Sequence, residues 1–195
     1  MPGMVRTKQF DQYAALDQAM ELFWERGFHA TSIQDLVDHL GVNRQSLYDT
    51  FGGKDRLYLA ALERYRTLAA QPVHQALARE GPVREVLQRF FSEFLDNFLA
   101  GNWKGCFMVN ATAELAGQDE GVSRVCAANA RQLETAFAGL IARGLQAGEI
   151  NPARPTLQLA RFLVNTLNGL AVTAKATRDR KALDQIVEVA LAALP

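Results

Sequence analysis

Apolar residues recur along this chain at intervals of three and four, and strict alternation of apolar and polar residues persists nowhere. That spacing predicts amphipathic helices and no sheet. An all-α chain of about nine helices can be drawn from it. The first runs from Phe10 to Arg26 with Leu16, Ala19, Met20 and Phe23 along one face. Gly27 follows where a helix commonly ends on a left-handed residue, and Phe28 is placed to pack back on Phe23 as in a Schellman end.

The next stretch carries the densest signals. Ile33, Leu36, Val37 and Leu40 form an apolar face, and Ser32 with Asp35 three residues later predicts a capping box. Gly41 stops this short helix and Val42 plugs the turn. Asn43 then caps a second short helix from Arg44 to Thr50, whose buried side is Leu47 and Phe51. Two short helices joined by a tight turn containing glycine make the helix-turn-helix plan. Gly52-Gly53 breaks the chain, and a long helix runs from Lys54 to Leu77. A domain boundary is expected inside that helix, giving residues 1–55 and 56–195 without a flexible linker.

Five more helices are expected: Val83–Leu99, Cys106–Leu115, Glu120–Ala147, Thr156–Thr177 and Lys181–Ala193. In the last two, Leu157, Ala160, Val164, Leu167, Leu170, Ala171 and Ala174 form one apolar stripe. Leu183, Ile186, Val187, Ala190, Leu191 and Leu194 form another. Two such stripes exceed what one small domain needs, and Gly169 permits close helix approach, so a two-fold dimer interface is expected. Burial of both stripes inside one chain is the alternative.

Composition narrows the function. The 195 residues are 49% apolar and 22% charged, as in a folded globular protein. No apolar run reaches the roughly 18 residues of a membrane span. No apolar stretch follows the basic residues of the N-terminus, so no secretory signal and a cytoplasmic address are expected. Two cysteines, Cys106 and Cys126, fit a reducing compartment. His29, His39 and His74 lie in no metal-binding pattern, and no nucleophile elbow or phosphate-binding glycine loop is present. The motifs therefore suggest no enzyme, and neither cofactor nor metal is expected.

The segment TSIQDLVDHLGVNRQSLYDTFGGKDRLYLAALERY resembles the N-terminal domain of TetR-family transcriptional repressors. Glu25-Arg26-Gly27-Phe28, Thr31, Ser32, Gly41-Val42 and the run Leu47-Tyr48, Phe51, Lys54, Leu57 carry the resemblance over roughly 50 residues. It implies a three-helix DNA-binding domain, then a helical effector-binding and dimerisation domain. It also implies a double-stranded DNA operator, a small-molecule effector, and a homodimer through the last two helices. Gly105-Cys106 with Asn110 resembles a subset of the family in which a lysine late in the eighth helix accompanies a sensing cysteine, and Lys175 occupies a comparable place. The chain departs from the usual pattern at Gln45, Asp49 and Gly53, the last standing where a serine commonly caps the fourth helix.

In the helix-turn-helix plan the second helix enters the major groove. Arg44 suits guanine O6 and N7, and Gln45 suits adenine N6 and N7. Asp49 either accepts from a cytosine N4 or turns away. Thr31, Ser32, Tyr48 and Lys54 suit phosphate positioning, with Asn43 and Thr50 flanking them at either end of the reading helix. Arg6 and Lys8 add non-specific affinity. Residues 1–66 nevertheless carry eight basic and nine acidic groups, so a modest salt dependence is expected. Phe91, Phe94, Trp103, Cys106, Phe107, Phe137 and Lys175 are candidates for an effector pocket, with neighbouring Phe90 and Met108, and Asn110 or Glu114 as its polar contact. Most of these aromatics are equally suited to plain core, and Cys106 to a buried apolar role. The leading reading is a ligand-released repressor; a helical ligand-binding or carrier protein with a vestigial helix-turn-helix is the alternative.

Overall fold

The computed structural model describes residues 11–101, 104–150 and 154–194. Arg6, Lys8 and Trp103 lie outside the described residues. Among the described residues are nine helices and no strand. They are α1 (Gln12–Arg26), α2 (Ile33–Leu40), α3 (Arg44–Phe51), α4 (Lys54–Leu77) and α5 (Val83–Ala100). Then follow α6 (Phe107–Leu115), α7 (Glu120–Gln146), α8 (Thr156–Thr177) and α9 (Arg180–Ala192). The chain divides into two compact units, residues 1–64 and 65–195, and the division falls within α4.

In the first unit, α1 begins on Asp11, whose carboxylate accepts from the backbone N–H of Tyr13 and Ala14. Its buried side is Ala15, Ala19, Met20, Leu22 and Phe23, and Leu36 of α2, Leu47 of α3 and Leu57, Tyr58, Ala61 and Leu62 of α4 are buried in the same unit. Tyr58 sets its edge against Phe23 and Phe28, each with ring centroids 5.0 Å away. Arg64 donates two hydrogen bonds to Asp17 at 2.7 and 3.1 Å, tying α4 to α1 and holding the Asp17 carboxyl below its usual range. Phe28 does pack on Phe23, at 6.5 Å between centroids. The expected Schellman end is not formed, however: Gly27 has φ 85° and ψ 172°, so the chain leaves α1 extended instead of turning back.

The second unit buries Phe90 and Phe91 of α5, Phe137 of α7 and the inner faces of α8 and α9 together. Phe137 stands edge-on to Phe90 at 5.4 Å and stacks with Phe91 at 6.3 Å. The two stripes of the last helices largely turn inward. Ala160, Val164, Leu167, Leu170, Ala171 and Ala174 are buried within the protomer, as are Leu183, Val187, Ala190, Leu191 and Leu194. Of the stripe residues only Leu157 and Ile186 are exposed. A second apolar face lies outside: Phe162, Gly169 and Val172 on α8, and Ile186 and Val189 on α9, with Val172 56% and Val189 71% accessible. Helix α8 is apolar on opposite sides, which its periodicity alone does not sort into inside and outside.

Candidate nucleic-acid interface and effector cavity

The helix-turn-helix is built from short-range hydrogen bonds. Ser32 accepts from the Asp35 backbone N–H at 3.0 Å, and Asp35 accepts from the Ser32 backbone N–H at 2.8 Å, completing the capping box. The Ser32 hydroxyl also donates to Asp35, which holds that carboxyl below its usual range. Gly41, in the left-handed region, closes α2 through its N–H to the Val37 carbonyl. Asn43 caps α3 by accepting from the Ser46 N–H at 2.8 Å.

Burial of Leu47 rotates α3 so that Arg44, Gln45, Tyr48 and Asp49 face solvent and Thr50 is half-buried. Gln45 Nε2 donates to Asp49 Oδ1 at 2.7 Å. Lys54, in the first turn of α4, holds its ammonium 4.1 Å from the Phe28 ring centroid. Thr31 requires a correction. It is fully buried and its hydroxyl donates to the Gly27 carbonyl at 2.7 Å, so it fastens the end of α1 and offers nothing to a phosphate. The Ser32 hydroxyl serves the cap first, beside an acidic neighbour.

Gly53 adopts φ 114°, and a β-carbon there would stand 3.3 Å from the Tyr48 ring. A serine cap therefore does not fit this turn as it stands. Gly53→Ser is expected to lower stability by about 1–3 kcal/mol and to displace Tyr48, as thermal unfolding and the Tyr48 ring resonances would show.

In the second unit a cavity of about 220 Å³ is lined from α4 by Tyr65, Val73 and His74 and from α5 by Phe90, Glu93, Phe94 and Asn97. Cys106 and Met108 bound it, with Asn129, Gln132, Leu133 and Ala136 from α7 and Leu167 from α8. Its wall is mainly apolar, and several polar groups are already engaged. Glu93 accepts from Arg79 at 2.5 Å, Gln132 accepts from Arg66 at 2.8 Å, and the Tyr65 hydroxyl donates to the Cys106 thiol at 3.7 Å. The side-chain amides of Asn97 and Asn129 make no hydrogen bond among the described residues.

Of the pocket residues expected from sequence, Phe94 and Cys106 line this cavity, joined by their neighbours Phe90 and Met108. Phe91, Phe107 and Phe137 are corrections: all three are fully buried core side chains that do not reach it. Asn110, Lys175 and Glu114 do not line it either. Asn110 donates to the Lys104 carbonyl at 2.7 Å and accepts from the Lys175 ammonium at 3.3 Å, which fastens α8 to the segment before α6. The lining residues of α4 and α7 were missed. Asn129 and Gln132 interrupt the apolar face of α7, and such polar breaks are the signal that was there to find.

Residues 15–61 match the family model for bacterial regulatory proteins of the tetR family, and residues 83–190 match the tetracyclin repressor-like C-terminal domain. The chain is 35% identical over 193 residues to the uncharacterized HTH-type transcriptional regulator YezE of Bacillus subtilis, covering 98% of this chain and 100% of that one. It is 31% identical over 187 residues to the HTH-type transcriptional repressor ComR of Escherichia coli, covering 95% and 88%. A cysteine mutant of the TetR-family transcriptional regulator CifR, complexed with 26bp double-strand operator DNA, has a TM-score of 0.84 at 28% identity. That match covers 97% of this chain and 100% of the other. With a helix-turn-helix in one unit and both units matched to the same family, the chain belongs to the TetR family and is a helix-turn-helix, DNA-binding transcriptional regulator.

Proposed function

We propose that the protein is a homodimeric repressor released from a pseudo-palindromic operator by a small lipophilic or electrophilic effector. The observation that carries the effector is the apolar cavity of the second unit, whose wall includes the side-chain amides of Asn97 and Asn129, without a hydrogen bond among the described residues. A concave apolar site with few polar groups suits a lipophilic ligand oriented by one or two hydrogen bonds. Helix α4 contributes Tyr65, Val73 and His74 to that wall and begins at Lys54 in the first unit. A ligand that shifts α4 thereby has a covalent connection to the reading head. ComR, similar along most of its length, is named a repressor, which supports the sign of regulation.

For the operator, Arg44 supplies a bidentate donor pair for guanine and Gln45 the amide for adenine. Asn43, Tyr48, Thr50 and Lys54, with the α3 N-terminus, serve as backbone contacts that set register. The exposed apolar face of α8 and α9 is the dimer surface, which pairs two half-sites. Gly105-Cys106 with Asn110 and Lys175 supports membership of the cysteine-bearing subset.

Filling the cavity tests the effector site. Ala136→Phe is expected to abolish ligand-induced release while leaving operator affinity unchanged, read by anisotropy of a labelled operator duplex. Release that persists in this variant contradicts the assignment. The electrophile branch has its own readout. Burial pushes the Cys126 thiol above its usual pKa, so less thiolate is present at neutral pH and its alkylation keeps accelerating into more alkaline solution. Cys106, on the cavity wall, is expected to be alkylated first by iodoacetamide, as peptide mass spectrometry would show; labelling of Cys126 before Cys106 goes against it.

A further inference from the structure

Gln45 and Asp49 lie one helical turn apart on the exposed face of α3, and Gln45 Nε2 donates to Asp49 Oδ1 at 2.7 Å. A glutamine amide has two N–H donors at one end and a carbonyl acceptor at the other. Rotation about its last torsion exchanges the ends, so a free glutamine presents either polarity to a base edge. An ionised aspartate only accepts. It therefore selects the rotamer in which the nitrogen faces it, and the carbonyl oxygen is left pointing away.

That selection leaves one N–H and the carbonyl of Gln45 for a partner. The pair matches adenine, which offers the N7 acceptor and the N6 donor in the major groove. Guanine offers two acceptors, N7 and O6, and opposes both the Gln45 carbonyl and the Asp49 charge. We infer that Asp49 is a positioning residue for base recognition: it locks the polarity of the Gln45 amide and so sets a preference for adenine where Gln45 reads. Asp49 itself need touch no base. The inference rests on α3 being the reading helix, as proposed above. It also accounts for an acidic side chain on a surface that approaches phosphates, where its charge alone is unfavourable.

A Gln–Asp pair at this spacing also adds slightly to helix stability, so unfolding does not separate the two roles and base preference does. The experiment is selection from a pool of random duplexes by the full-length protein and by Gln45→Ala, Asp49→Ala and Asp49→Glu. The wild type is expected to select adenine at one position in each half-site. Gln45→Ala and Asp49→Ala relax that same position by about tenfold and leave the others unchanged. Asp49→Glu keeps an acceptor-only group within reach of Gln45 and retains the preference.

Undiminished adenine preference in Asp49→Ala overturns the inference, as does uniform weakening across all positions, or a Gln45-dependent position that is guanine. A wild type that selects no sequence removes the reading-helix assignment itself. A selected site on which Asp49→Ala behaves as wild type removes only the role given to Asp49.

Discussion

Placing charges on the outer face of the last two helices, with Val172→Asp and Val189→Asp together, is expected to yield a monomer that no longer holds its operator. Both side chains are exposed on the protomer, at 56% and 71%, so their replacement leaves the buried core of the second unit intact. In a dimer they would meet a partner's apolar surface, where unpaired carboxylates are strongly disfavoured. A monomer reads one half-site. Its affinity is expected to fall toward non-specific binding, a loss on the order of a thousandfold or more. Light scattering gives the mass, circular dichroism the helicity, and anisotropy the operator affinity. A dimer that persists and binds normally would move the interface elsewhere.

Phe137→Ala is expected to cost about 3–5 kcal/mol of stability. The ring is fully buried against Phe90 and Phe91 and does not itself line the cavity. Against a typical stability of about 5–15 kcal/mol, such a loss brings the domain close to unfolding. Phe94→Ala, at a half-buried ring that already borders the cavity, should cost clearly less, because part of its surface lacks packing partners. Urea unfolding of the two variants side by side separates core from cavity wall. Equal losses would show that Phe137 and Phe94 share one environment.

The local elements were legible because their causes are local. Ser32 with Asp35, Gly41 and Asn43 sit within a few residues of the groups they cap, so the boundaries of α2 and α3 follow from chemistry along the chain. Gly27 shows the limit of that reading. A glycine at a helix end announces positive φ, but ψ decides between a left-handed turn and an extended exit. Thr31 shows a similar limit: a hydroxyl beside a cap looks available in the sequence, but its bond to the Gly27 carbonyl takes it up.

The cavity was legible only in part. Phe90, Phe91 and Phe94 share the apolar face of α5, and periodicity assigns all three to the inside without saying which borders empty space. Asn110 and Lys175 lie far apart in sequence, so their contact depends on how α6 and α8 pack. Helix α8 buries one side and exposes apolar residues on another. Its periodicity alone does not say which of the two faces is turned inward.

Sequence-specific operator binding by a dimer is tested most directly by selection of bound fragments from the source organism's genomic DNA at near-physiological salt. Recovery of a pseudo-palindromic site, with two half-sites spaced for two copies of α3 in successive major grooves, is the predicted result. Recovery of nothing above background, by a protein verified to be folded and dimeric, would contradict it.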